Sequence, residues 1–170
     1  MLHLLFPRLT AARMRGAELL QWVIRETRMP GWYAAGGVPD TVDGRFAMLS
    51  TITALVLVRA EGLGDVGSQA SVALTERFID AMKSEHREMG LGDPTLGKVV
   101  QKLVGALARR VEAWRAATSG DDWVAAIRAS VYGSDRPAPE AVDFTAARLR
   151  EIWSRLEAAP AEAIERGEIA

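Results

Sequence analysis

A chain of 170 residues, 49% hydrophobic and 25% charged, has the make-up of one globular domain large enough for its own core. Its formal net charge of −1 gives no bulk attraction to nucleic acid or to an acidic membrane. The lack of cysteine excludes disulfides, thiol nucleophiles, thiolate metal sites and covalent haem attachment.

Alanine, leucine, glutamate and arginine dominate with little β-branched alternation, so the expected fold is all-α, a compact domain of about six helices. Thr10 is positioned to cap a first helix running to about Arg28, where Pro30-Gly31 ends it. Trp32 to Val42 reads as a short turn-rich piece. Asp43 would cap a helix from Gly44 to about Glu61, within which Phe46 to Val58 is the longest uncharged run. That run of about thirteen residues falls short of the roughly 20 that a membrane-spanning helix needs, so it suits a buried helix. Gly62, Gly64 and Gly67 suggest a loop, followed by a helix from about Ser71 to Met89. Gly90 ends it, Asp93 caps the next helix, and Pro94 takes the first position. The helix from Pro94 to about Thr118 places Leu96, Val99, Val100, Leu103, Leu107, Val111 and Trp114 on one face. Lys98, Lys102 and Arg109 fall opposite. Arg110 projects into the apolar side, where it must snorkel or pair with an acid such as Glu76 or Asp80. Further helices are expected from Asp121 to about Tyr132 and from Glu140 to Ala158, with a linker at Ser134–Pro139. Pro160 starts a last turn.

Candidate chemistry is thin. Gly92 to Lys98 has the spacing of a phosphate-binding loop, but Val99 stands where a serine or threonine should contact magnesium, and no buried strand precedes it. Only His3 and His86 are present, too few for a helical-bundle metal site, and no metal or other cofactor is expected. Glu76 and Asp80 lie one turn apart but lack a nucleophile or matched histidine, so an ion-pair role with Arg45, Arg77 or Arg110 fits better than acid–base work. The sequence alone describes a helical protein without an active site. The apolar start, Met1 to Phe6, lacks the basic lead and length of a signal peptide, so a cytoplasmic, non-spanning protein is expected.

Two sets of residues could bind another macromolecule. Trp32-Tyr33 sits outside any apolar stripe. These rings either cap the core at a helix junction or, with Phe46 and Phe78, line a groove for an apolar client segment. Met48, Met82 and Met89 would add adaptable thioethers to such a groove. Asp40, Thr41 and Arg45 either set the turn and cap the helix or hold the groove edge. Lys98, Lys102 and Arg109 form either a solvated face or a cationic stripe for acidic lipid, RNA or an acidic partner.

Five short pieces, in order, carry a family resemblance: Trp32-Tyr33; Gly37-Val-Pro-Asp-Thr41 with Gly44-Arg-Phe46; Leu74-Thr-Glu-Arg-Phe78 with Asp80 and Met82; Arg87 through Asp93; and Gly97-Lys98. Together they resemble the ubiquinol–cytochrome c chaperone family over about residues 30 to 118. Ala108 and Trp114 depart mildly, where glycine and tyrosine are usual. The resemblance implies a non-catalytic assembly factor that receives newly synthesised cytochrome b on the way to ubiquinol–cytochrome c reductase. It also implies work beside the ribosome with a small partner protein, at the inner face of the cytoplasmic membrane, and no role on DNA. The corresponding organisation is an N-terminal helix (1–29), a chaperone-like core (30–118) and a C-terminal helical extension (119–170). The client-binding candidates are Trp32, Tyr33, Asp40, Arg45, Phe46, Glu76, Phe78, Asp80, Met82, Met89, Asp93, Lys98, Lys102 and Arg109. The competing reading is a ribosome- or RNA-associated helical module that acts through the basic stripe.

Overall fold

The computed structural model describes residues 16–88, 93–120 and 122–170. Among these, the elements are all helical: α1 Ala17–Thr27, α2 Gly31–Ala34, α3 Val42–Glu61, α4 Gly64–Glu88, α5 Asp93–Gly120, α6 Trp123–Ile127, a π-helical turn Arg128–Tyr132, α7 Pro139–Ala158 and α8 Ala161–Arg166. The proposed start of the first helix at Thr10 lies outside the described residues.

The centre of the molecule is α3. Ser50 through Val56 are buried on every side of it, because α1, α4, α5, the π turn and α7 all pack against this one helix. Its buried hydroxyls are mostly satisfied within the helix: Ser50 donates to the Phe46 carbonyl at 2.6 Å and Thr53 to that of Leu49 at 2.8 Å. The cap is Thr41 rather than Asp43. The Thr41 hydroxyl accepts the Gly44 amide at 3.1 Å, so the helix begins two residues earlier than the sequence suggests. Gly44 has no room for a side chain, since a Cβ there would run into the Pro39 carbonyl.

The second correction concerns the glycines after α3. Gly64 and Gly67 belong to the first turns of α4, and the connection shrinks to Gly62-Leu63. A Cβ on Gly67 would collide with the Ala60 carbonyl, so glycine serves a close helix approach here rather than a loop. In α5, Leu96, Leu107 and Trp114 are buried as the spacing predicts. Gly97 and Lys98 sit inside that helix and are exposed, so they form no phosphate-cradling loop.

The C-terminal third packs into the same core. Ile127, Val131, Leu149, Ile152, Leu156 and Ile164 join Leu19, Trp22, Met48 and Phe78 in one hydrophobic cluster. Polar ties reinforce it. The buried Tyr132 hydroxyl donates to the Gly36 carbonyl at 2.6 Å and lies 2.9 Å from the Thr145 hydroxyl, which binds the 36–37 turn to the π turn and α7. Arg59 at the end of α3 donates to the Leu156 carbonyl of α7 at 2.9 Å. At the far end, Trp22 Nε1 donates to the Ile169 carbonyl at 3.1 Å, so the last residues lie across α1.

Candidate functional site: an apolar corner topped by arginine

Among the described residues, sequence candidates gather beside partly open apolar surface between the head of α3 and the middle of α5. Two contacts join α3 to α5: Arg110, past the middle of α5, meets Phe46 near the head of α3, and Arg115 pairs with Glu61 at the end of α3. On α3, Val42, Phe46 and Leu49 recur at helical spacing and share one side. Val42 is 67% exposed, while Phe46 and Leu49 are half-buried against the core. On α5, Val99 and Leu103 precede Arg110 on its side of the helix and are also half-buried.

Arg110 joins the two helices. Its guanidinium carbon lies 5.8 Å from the centre of the Phe46 ring, a cation–π distance. Phe46 in turn meets Phe78 at 6.2 Å between ring centres. The guanidinium donates twice to the Ser130 carbonyl, at 2.8 and 3.2 Å, and once to the Ala106 carbonyl at 3.2 Å. The acids Glu76 and Asp80, expected as its partners, are exposed on α4, and carbonyls take their place. Ser130 lies in the last turn before Gly133, where helix carbonyls lack intrahelical donors, so its carbonyl can accept from a side chain. Burial lowers the Arg110 pKa below the ordinary arginine value, and the neighbouring Arg109 charge lowers it further.

The remaining candidates divide by position. Asp40 and Arg45 form an exposed pair at 2.7 Å beside the corner, and this contact holds the Asp40 carboxyl below its usual range. Tyr33 lies within electrostatic reach of both. Its hydroxyl donates to the Thr27 carbonyl at 3.0 Å, and burial raises its pKa. Trp32, Phe78 and Met48 offer no groove surface. Trp32 is 1% exposed and donates from Nε1 to the Glu26 carbonyl at 2.7 Å, while Phe78 and Met48 are fully enclosed. Met82 is also buried. Thus the rings of Trp32-Tyr33 cap the core at the α1–α3 junction, because the α2 turn folds them under rather than outward. Lys98, Lys102 and Arg109 are exposed. Met89 lies outside the described residues, as does the side chain of Asp93. Val42, Leu49, Leu103 and Arg110 complete the corner but were not among the sequence candidates. The Val42–Phe46–Leu49 spacing was the available signal, and an exposed apolar residue at a helix start carries little weight alone.

The ubiquinol–cytochrome c chaperone family matches residues 34–170. The chain belongs to that family. The match runs well past residue 118, through the segments that supply Ser130 to Arg110 and Tyr132 to Gly36. Among solved structures, the Cbp3 homolog from Brucella abortus is similar at 27% identity, with a TM-score of 0.79 over 100% of this chain and 96% of that one. No curated protein matches. Among the described residues, no helix is long and apolar enough to cross a membrane, and no three potential metal ligands of the His, Asp and Glu type cluster.

Proposed function

We propose that this member of the ubiquinol–cytochrome c chaperone family binds newly made cytochrome b and hands it on to ubiquinol–cytochrome c reductase, without catalysing a reaction. The observation that carries the reading is the family match over residues 34–170 together with full-length similarity to a Cbp3 homolog. The physical task suits the chain. A polytopic membrane subunit exposes apolar helices before its partners cover them, and a helical domain with a half-open apolar corner can cover a short stretch of that surface. Selective binding is sufficient for this work, and the corner contains no nucleophile or acid–base pair that would suggest chemistry. A position at the inner membrane face, near the ribosome and with a small partner protein, belongs to the same proposal.

Deletion of the gene in its source organism tests it, with the level and haem content of cytochrome b as the readout. The expected result is loss of assembled reductase with other respiratory complexes intact. Normal reductase in the deletion strain would overturn the reading.

A further inference from the structure

We propose that the corner between the head of α3 and the middle of α5 is the docking surface, and that it takes an apolar peptide segment carrying a carboxylate, which completes the coordination of Arg110. The inference rests on the chaperone reading and names the chemistry of what is held.

Arg110 provides the main argument. An arginine side chain has five N–H donors. Three are used here, on the Ser130 and Ala106 carbonyls, leaving one N–H on each terminal nitrogen without an acceptor among the described residues. A half-buried cation neutralised only by carbonyl dipoles keeps much of its desolvation cost, and a carboxylate is the group that offsets it best. The two other guanidinia stacked on rings among the described residues have different settings. Arg155 over Trp22 has the Glu26 carboxylate at 2.9 Å, and Arg150 over Trp123 is exposed to solvent. Arg110 is inset and has no acid partner among the described residues.

The surroundings fit the same ligand. Phe46 lies under the guanidinium, Val42 and Leu49 share its side of α3, and Val99 and Leu103 lie along Arg110's side of α5, none of them fully buried. Lys98, Lys102 and Arg109 lie on the adjoining side of α5, exposed and without an ion pair among the described residues, whereas Arg45 and Arg115 are paired. These charges make this stretch of α5 positive, with Arg109 directly beside Arg110, which favours the approach of a carboxylate. An anionic membrane fits less well. The chain is near neutral, and Asp40, Glu76 and Asp80 are exposed on the flanking elements, so a charged plane would meet repulsion that a single carboxylate avoids.

The test uses the full chain and fluorescent overlapping peptides that tile cytochrome b from the same organism. Each acidic peptide is paired with a version in which Asp and Glu become Asn and Gln. Phosphatidylglycerol vesicles serve as the second probe. Binding to apolar acidic peptides is expected, weakened about tenfold or more by their neutralisation. The charge-reversal pair Lys102→Glu and Arg109→Glu, and separately Val42→Ser, should weaken it similarly. All three positions are exposed, so the variants should melt close to the parent, which checks that folding is intact. Binding that ignores the carboxylates, binding to vesicles alone, or no peptide binding would overturn the proposal. Complementation separates the two readings. If the charge-reversed protein rescues a reductase-deficient deletion strain as well as the parent does, the corner is not the docking surface, although the chaperone reading stands.

Discussion

Two regions of the molecule, one at the chain's C-terminal tail and one at the head of α3, use the same device and finish it differently. At the tail, Arg155 stacks on Trp22 at 5.4 Å, pairs with Glu26 at 2.9 Å and donates to the Ala170 carbonyl at 2.5 Å. Trp22 is 2% exposed, so ring, cation and carboxylate are closed into one unit. At the head of α3, Arg110 stacks on Phe46, but the ring is half open, Val42 one turn before it is exposed, and the hydrogen-bond partners of the guanidinium among the described residues are all carbonyls. The contrast teaches that an arginine over an aromatic ring is not a functional signal in itself. What marks the head is the unfinished part: open apolar surface next to a half-buried cation that lacks an acid.

If the tail is structural, damage there should appear as lost stability. Trp22→Ala removes a buried ring and the donor to Ile169, and should cost about 3–5 kcal/mol in urea unfolding. A cost below about 1 kcal/mol would mean that the tail is not tied to the core as described. Tyr132→Phe probes the tie between the 36–37 turn, the π turn and α7. It strips a buried hydroxyl from the Gly36 carbonyl and Thr145, and should cost about 1–3 kcal/mol by the same measurement. Phe46→Ala at the head should cost less, about 1–2 kcal/mol, because the ring is only half-buried. Its effect on reductase assembly in complemented cells should nevertheless exceed that of a tail variant of equal stability.

The smallest effect concerns pH. Arg115 holds the Glu61 carboxyl below the usual glutamate range through a bidentate contact at 2.6 and 2.9 Å. A depressed carboxyl contributes stability that is fully present above the unfolded pKa and lost as pH falls through the folded one. Thermal melts below pH 4.5 should therefore show a small, salt-sensitive decline that Glu61→Gln lacks. Identical acid profiles for the two proteins would show that this exposed pair carries no folding linkage.

Local patterning made much of the fold legible. Leu96, Leu107 and Trp114 lie inward where their spacing puts them, and α5 starts at Asp93, one residue before the expected first position at Pro94. Gly64 and Gly67 were misleading because glycine propensity cannot distinguish a loop from a close approach, and the deciding contact is Ala60, which belongs to another helix. The candidate site was legible only in part. Phe46, Arg45 and Asp40 are where the family resemblance draws attention, and the exposed α5 cations follow from the helical wheel. Trp32 lay outside any periodic stripe, so its burial depended on a turn whose direction the sequence does not encode locally. The acceptor for Arg110 lies twenty residues away on a π turn, and no pattern within α5 points to the Ser130 carbonyl.

Site-specific photo-crosslinking in growing cells tests the account most directly. A photo-reactive amino acid in place of Val42 is compared with one in place of Glu168 at the closed tail, and adducts with newly made cytochrome b are measured. The account predicts an adduct from position 42 that Lys102→Glu with Arg109→Glu abolishes, and none from position 168. Equal adducts at both positions, or an adduct from the tail alone, would contradict it.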